Sequence, residues 1–153
     1  MLKPGETIPD ITLDGVDGKP VRLRDLTSDR ALVLYFYPKD DTPGCTAEAC
    51  SFRDHYQDFS DAGADVVGVS GDGRDSHVRF VERHKLPFKL LTDTRGEARD
   101  AFGVKPSFLG LLPGRVTFVI DRENKVRHAF DSQLRATAHV AEALRVVREI
   151  QRA

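Results

Sequence analysis

The chain is poor in cysteine, in long apolar runs and in net charge of either sign. It has two cysteines in 153 residues, too few for the disulfide framework of a small secreted module. No apolar run approaches the roughly 20 residues of a membrane span, and residues 1–6 form no apolar signal region, so we expect a cytoplasmic protein without a membrane partner. With 23 basic and 24 acidic residues, the chain lacks the positive excess that nucleic acid or an anionic membrane attracts.

The residues that are present fit one globular domain. Hydrophobic residues make up 40% of the chain, a normal share for a protein that buries a core. A chain of this length can build that core without disulfides or metals. We find no internal repeat, low-complexity tract or long linker. The sequence therefore predicts a single domain over residues 1–153.

Apolar residues recur with the periods of alternating strands and helices. A turn at residues 14–18 between two short apolar segments predicts a β-hairpin, and the run Ala31–Tyr37 predicts a central strand buried on both faces. Further strands are expected at Val66–Ser70, Phe88–Leu91, Val116–Ile120 and Val126–Phe130, and helices from residues 40–43 to about Ala62, at Ser76–Lys85, at Arg95–Phe102 and at about Thr137–Arg152. This order predicts an α/β fold, a thioredoxin-like three-layer sandwich with a central mixed β-sheet and an N-terminal β-hairpin.

Cys45 lies where the central strand has ended and a helix begins. The first N–H groups of a helix are unpaired and carry the positive end of its dipole, so this position favours the nucleophilic thiolate. Thr42 can offer a hydroxyl to the same site. The carboxylates of Asp40 and Asp41 would oppose a thiolate, so we expect them to face solvent or cap the helix. The residues leave open which arginine supplies a counter-charge, and a small buried thiol without chemistry is the alternative for Cys45.

Cys50 follows five residues after Cys45 on the same expected helix. On an ideal helix their Cα atoms lie ~8.6 Å apart, whereas a disulfide needs Cα atoms within about 7 Å. The two thiols therefore cannot bond while both residues stay helical. If they form a catalytic disulfide, the first turns of the helix must unwind; the alternative for Cys50 is an inert thiol inside the helix.

The residues around both cysteines resemble a known active site. The segment Tyr35–Cys50, with its Pro-x-x-x-Thr-x-x-Cys core, is similar to the active-site segment of the peroxiredoxins, and in particular of their bacterioferritin comigratory protein, or PrxQ, branch. The similarity continues in residues 69–80, 86–93 and 114–121, the last of which contains Arg-x-Thr-Phe-x-Ile-Asp. It covers most of the chain.

The resemblance implies a role for each matching residue. Cys45 matches the peroxidatic cysteine, whose thiolate attacks a peroxide oxygen and becomes a sulfenic acid. Thr42 matches the hydroxyl that hydrogen-bonds the peroxide, and Pro38 matches the residue that shields the thiolate from solvent. Arg115 matches the guanidinium that stabilises the thiolate and the transition state. Cys50 matches the resolving cysteine.

The same resemblance implies a thiol peroxidase that reduces hydrogen peroxide and alkyl hydroperoxides in antioxidant defence. It implies an intramolecular disulfide reduced by thioredoxin or a similar dithiol, no cofactor and no metal, and a carboxylate at Glu48 that orients or shapes the pocket. We expect a monomer, with a dimer as the alternative. A thiol–disulfide oxidoreductase and a redox sensor are the rival functions, and the absence of a Cys-x-x-Cys pair disfavours the first.

Other patterns carry less information. Gly71-Asp72-Gly73 lacks the third glycine of a dinucleotide loop, and the five histidines show no ligand spacing with the cysteines. Two prolines and two glycines in Lys105–Gly114 predict a loop. Its apolar residues 108–112 are expected either to pack over the core or to form a lip of the active site or a docking surface.

Overall fold

The computed structural model describes residues 1–106, 113–132 and 135–152. The strands are β1 Thr12–Gly15, β2 Pro20–Arg22, β3 Ala31–Phe36, β4 Ala64–Ser70, β5 Lys89–Thr92, β6 Val116–Ile120 and β7 Val126–Asp131. The helices are α1 Pro43–Asp54, α2 Tyr56–Asp61, α3 Arg74–His84, α4 Glu97–Phe102 and α5 Ala138–Arg152, with a 3₁₀ helix at Leu23–Thr27. None of the helices in these ranges is long and apolar enough to cross a membrane.

The described strands form one mixed sheet in the order β2-β1-β5-β4-β3-β6-β7. β3 runs parallel to β4, and β4 runs parallel to β5, whereas β6 lies antiparallel to β3. β1 and β2 pair antiparallel as the expected hairpin. The α/β class, the mixed sheet and the hairpin predicted from the sequence are confirmed.

The two faces of the sheet carry separate cores, which makes the sandwich three layers thick. Val33 and Tyr35 of β3 belong to a core shared with α1, α2, α3 and α5. Leu34 and Phe36 belong to a core on the other face, shared with α4 and the N-terminal segment. Alternate residues of a strand point to opposite faces, so a strand between two helical layers is apolar at every position. The central strand was predictable for this reason.

The predicted helix from residues 40–43 to Ala62 is wrong in one respect, because it is two helices. His55 leaves the helical conformation at φ −104° and ψ 7°, between α1 and α2. Its imidazole Nδ1 lies 2.9 Å from the Ser51 carbonyl oxygen. The change of direction buries Phe59 of α2 against Phe52 of α1, with ring centroids 5.7 Å apart. Gly63 ends α2 at φ 81°, as its position predicted.

Other boundaries differ by a few residues. β4 begins at Ala64 and α3 at Arg74, each two residues before its predicted start, and β7 extends to Asp131. Within the predicted loop Lys105–Gly114, the described residues 105–106 and 113–114 belong to no helix or strand. The remaining residues, 107–112, and with them the proposed lip or docking surface at 108–112, lie outside the described residues.

Close packing between β3 and β4 requires a glycine. Tyr35 and Gly68 are direct partners in the parallel register. A Cβ atom at Gly68 would lie 2.8 Å from Tyr35 Cζ and 2.8 Å from Leu90 Cδ2. The missing side chain therefore lets the tyrosine ring lie across β4, stacked on Phe52 at a centroid distance of 4.5 Å.

Gly68→Ala is expected to lower the free energy of unfolding by about 1–3 kcal/mol, because overpacking displaces buried rings. Urea unfolding followed by circular dichroism measures the change. Gly71→Ala is the matched control, since its Cβ would meet its nearest neighbour, the Asp93 carbonyl oxygen, at an ordinary 3.7 Å. Equal stability of the two variants would contradict the packing argument.

Candidate active site

Cys45 lies in the first turn of α1 and is buried, with 1% of its surface exposed. Thr42 is the N-cap residue, and Pro43 starts the helix, where a proline costs no hydrogen bond. The sulfur thus lies near the N-terminal end of the helix, where unpaired N–H groups favour negative charge. This location agrees with the sequence prediction.

Arg115 reaches the same point from the residue before β6. It is 4% exposed, and its Nη2 donates to the Cys45 sulfur at 3.3 Å. Its Nη1 donates to Glu48 Oε1 at 2.6 Å. Burial alone would lower the pKa of Arg115, but the attraction of Glu48 and Cys45 outweighs burial and raises it. Arg115 is therefore a cation in contact with the thiol, where the sequence analysis expected a counter-charge.

Two further predicted residues lie in the loop that leads into α1. The Thr42 hydroxyl donates its proton to the Lys39 carbonyl oxygen at 2.9 Å. Pro38 is half-buried and follows the buried Tyr37. Both belong to the segment that connects the end of β3 to α1.

Cys50 lies further along α1 and is half-buried. Both cysteines are free thiols. The helix is continuous from Pro43 to Asp54, so both cysteines belong to regular α-helix. At a spacing of five residues on a helix, the two Cα atoms lie too far apart for a disulfide.

Gly44 leaves room for the guanidinium. A Cβ atom on Gly44 would lie 3.1 Å from Arg115 Nη2, closer than an ordinary van der Waals contact. The sequence alone did not predict this requirement for glycine, because Gly44 and Arg115 are 71 positions apart.

Glu48 connects the site to the last helix. It is fully buried on α1, and its Oε2 lies 3.7 Å from His139 Nδ1. Burial raises the pKa of Glu48 to about 8, although Arg115 opposes the shift. Burial lowers the pKa of His139 to about 4, so the imidazole is neutral at pH 7 and the contact is not an ion pair.

His139 and Thr117 are site neighbours that the sequence analysis missed. The Thr117 hydroxyl lies 2.7 Å from His139 Nδ1. A signal was available for His139, since it stands next to Val140 and four residues before Ala143 on the buried stripe of α5. Thr117 could have been noticed because it is the polar residue in the otherwise apolar strand β6.

The expectation that Asp40 faces solvent or caps the helix is wrong. Asp40 is 5% exposed, and its carboxylate accepts hydrogen bonds from the Tyr37 hydroxyl at 2.6 Å and the Ser76 hydroxyl at 2.8 Å. The carboxylate also lies 2.7 Å from His77 Nδ1. Asp41 is exposed, as expected, and pairs with Arg83 at 3.3 Å. The Asp40 contacts tie the loop before α1 to α3.

His77 completes this second buried cluster. Its Nε2 lies 3.1 Å from the Leu91 carbonyl oxygen, so both ring nitrogens face oxygen acceptors. Asp40, His77 and Asp72 form the one group of potential metal ligands whose atoms lie within 4.8 Å of one another in the described part of the chain. The same atoms of Asp40 and His77 already hydrogen-bond within the protein, which favours a structural role for the cluster over a metal site.

Asp40→Asn is expected to lower the free energy of unfolding by about 3 kcal/mol, because it removes the buried carboxylate that accepts hydrogen bonds from Tyr37 and Ser76. The hydrogen bonds outweigh burial and lower the pKa of Asp40. Its stabilising contribution is therefore complete above the ordinary carboxyl pKa and is lost as pH falls through the lowered value. Urea unfolding at pH 7 and at progressively acidic pH measures both effects.

Asp41→Asn serves as the control for Asp40→Asn. Its surface pair with Arg83 contributes at most about 1 kcal/mol. If Asp40→Asn were no less stable than Asp41→Asn at pH 7, the buried cluster would not stabilise the fold.

Comparison with known proteins agrees with this site. Residues 4–129 match the model of the AhpC/TSA family. The chain is 42% identical over 147 residues to the chloroplastic peroxiredoxin Q of Sedum lineare, covering 96% of this chain and 78% of that protein. Among solved structures, the peroxidoxin BcpB of Mycobacterium tuberculosis superposes with a TM-score of 0.91 at 41% identity, over 98% of this chain and 99% of that one.

A second solved structure, a mutant of PrxQ from Xylella fastidiosa, has a TM-score of 0.88 at 28% identity and covers 98% of both chains. These matches extend over nearly the whole chain and include the segment that carries both cysteines. The chain therefore belongs to the AhpC/TSA family, among the peroxiredoxins of the Q type, and the protein is a thiol peroxidase.

Proposed function

We propose that Cys45 is the peroxidatic nucleophile, that Cys50 resolves its oxidised form as an internal disulfide, and that a thioredoxin-like dithiol reduces that disulfide. The observation that carries the proposal is the contact of 3.3 Å between Arg115 Nη2 and the Cys45 sulfur at the start of α1. A buried cation and a helix N-terminus together favour the thiolate. Hydrogen peroxide and alkyl hydroperoxides are the substrates.

In the first step, a sulfur lone pair of the Cys45 thiolate attacks the terminal peroxide oxygen. The S–O bond forms as the O–O bond breaks, and the departing hydroxide or alkoxide takes up a proton to become water or an alcohol. Cys45 is oxidised to a sulfenic acid and the peroxide is reduced. Arg115 is already in place to stabilise the negative charge that moves onto oxygen.

Thr42 and Pro38 position the peroxide and limit access of water. Because the Thr42 hydroxyl proton is donated to the Lys39 carbonyl, the lone pairs of its oxygen remain free to accept the O–H of a peroxide. The pyrrolidine ring of Pro38 has no N–H to attract water, and it follows Tyr37, whose side chain is fixed by its hydrogen bond to Asp40.

In the second step, the Cys50 thiol attacks the sulfenic sulfur, and a disulfide and water are formed. At least one of the two residues must leave its helical position on α1 for this reaction, since an intact helix holds them too far apart. A dithiol donor then reduces the disulfide by thiol–disulfide exchange, and its own two thiols become a disulfide.

The cytoplasmic location and the monomeric state expected from the sequence stay predictions.

Intact mass under non-reducing conditions, after one equivalent of hydrogen peroxide, tests this sequence of steps. The wild-type monomer is expected to lose two hydrogen atoms, because an internal disulfide forms. Cys50→Ser should gain one oxygen instead, since its sulfenic acid has no resolving thiol, and it should not turn over with thioredoxin and its reductase.

Cys45→Ser is the matched control and should keep its mass. An unchanged peroxidase rate in Cys45→Ser would exclude Cys45 as the nucleophile. Normal turnover of Cys50→Ser with thioredoxin would exclude Cys50 as the resolving residue.

Gly44→Ala is expected to slow the oxidation of Cys45 by about tenfold, because its methyl group displaces the guanidinium from the position that stabilises the transition state. The protein should not lose stability, since alanine is favoured over glycine in a helix by about 1 kcal/mol. Stopped-flow measurement of peroxide consumption, together with urea unfolding, separates the two effects. Gly71→Ala is the control for both, and an unchanged rate in Gly44→Ala would show that Arg115 adjusts without loss.

A further inference from the structure

Glu48 is a buried acid with one hydrogen-bond donor. Its Oε1 accepts from Arg115 at 2.6 Å. Its Oε2 has no hydrogen-bond partner within residues 1–106, 113–132 and 135–152. An ionised carboxylate has about four lone-pair sites to satisfy, and a buried charge without donors is costly. The surroundings therefore fit a protonated Glu48 better than an ionised one.

Four titratable groups face Glu48 from the elements packed around it. Cys45 lies on α1, Tyr35 on β3, Arg115 before β6 and His139 on α5. Burial raises the pKa of Tyr35 well above its usual value, so its phenol is neutral. The imidazole of His139 is neutral as well. Among these groups, Arg115 alone carries a positive charge.

His139 cannot supply the donor that Glu48 lacks. Its Nε2 lies 2.8 Å from the Ser132 carbonyl oxygen, which requires the proton of the neutral ring to be on Nε2. Its Nδ1 then presents a lone pair, which accepts from the Thr117 hydroxyl at 2.7 Å. Oε2 of Glu48 faces this lone pair at 3.7 Å, a neighbour that favours a protonated oxygen and disfavours a charged one.

We propose that Glu48 and Cys45 are two buried acids that share one guanidinium, so that Glu48 keeps its proton while Cys45 is a thiolate. When Glu48 ionises, its negative charge balances the positive charge of Arg115. The guanidinium then stabilises the sulfur and the transition state less. Glu48 is thus a positioning residue that acts through Arg115. The consequence for catalysis rests on the proposed role of Cys45.

The sign of the pH dependence follows from this arrangement. Arg115 carries one positive charge and can balance the negative charge of only one of the two acids, Cys45 and Glu48. The second acid to ionise does so after the charge of Arg115 is already balanced, which disfavours its ionisation. Burial raises the pKa of Glu48 to about 8, against the opposing effect of Arg115. Below that pH the positive charge of Arg115 stabilises the Cys45 thiolate alone. Above it, the same charge is divided between the thiolate and the Glu48 carboxylate. Peroxide reduction is therefore expected to slow as the pH rises through about 8.

Infrared spectroscopy of the reduced protein, with no peroxide present, tests the shared guanidinium. The wild type should show the carbonyl band of a protonated carboxylic acid at pH 7, and the band should disappear as pH rises through about 8. Glu48→Gln should lack the band, while Glu82→Gln, which removes an exposed carboxylate on α3, should keep it.

Cys45→Ser distinguishes the shared guanidinium from a merely structural role of Glu48. Without a thiolate, the guanidinium is available to Glu48 alone, so the band should disappear at lower pH than in the wild type. An unshifted band in Cys45→Ser, or no band in the wild type at pH 7, would overturn the proposal. These measurements need no peroxidase activity.

A stopped-flow pH profile of Cys45 oxidation is the kinetic counterpart. The wild-type rate constant should fall above about pH 8, and Glu48→Gln should lose this fall. A fall that persists in Glu48→Gln would overturn the proposed control. If the infrared band behaves as expected but Cys45 does not react with peroxide, the assignment of the nucleophile fails and the shared guanidinium stands.

Discussion

The Arg115 guanidinium contacts two buried side chains of α1, Cys45 and Glu48, and the geometry of the candidate site depends on these contacts. A buried cation is costly unless it is paired and hydrogen-bonded. Arg115 meets much of this requirement with Cys45 on Nη2 and Glu48 on Nη1, while its Nε has no hydrogen-bond partner among the described residues. Because the two partners lie three residues apart on the same helix face, the position of the guanidinium and the first turn of α1 depend on each other.

The sheet order explains how Arg115 reaches α1. β3 and β6 are antiparallel neighbours, and Phe36 at the end of β3 pairs with Val116 at the start of β6. The loop that leaves β3 toward α1 and the residue that precedes β6 therefore lie at the same edge of the sheet. Gly44 then leaves the space into which the guanidinium fits. The topology brings the residues together, and a missing side chain allows the final approach.

The sequence predicted the parts of this structure that depend on local pattern. A strand that is apolar at every position, such as β3, is recognisable because both of its faces are covered, and Cys45 was recognisable from its place between strand and helix. Arg115 came from the resemblance to a family, since residue patterns could not choose among the arginines. The break at His55 has no proline or glycine to mark it, and it follows from the packing of Phe59. The burial of Asp40 depends on Ser76 and His77, 36 and 37 positions away, and no local pattern reports such a partner.

In the proposed cycle, the buried cluster around Asp40 limits how much of the chain rearranges when α1 unwinds. On one side of the cysteines, the carboxylate of Asp40 is held by α3 and by the hydroxyl of Tyr37. On the other side, Phe52 is packed between Tyr35 and Phe59. A rearrangement confined between these two points breaks the hydrogen bonds of α1 and leaves the described strands β1 to β7 paired. The proposed catalytic cycle therefore requires only a local order–disorder change, and most of the folding free energy is retained throughout it.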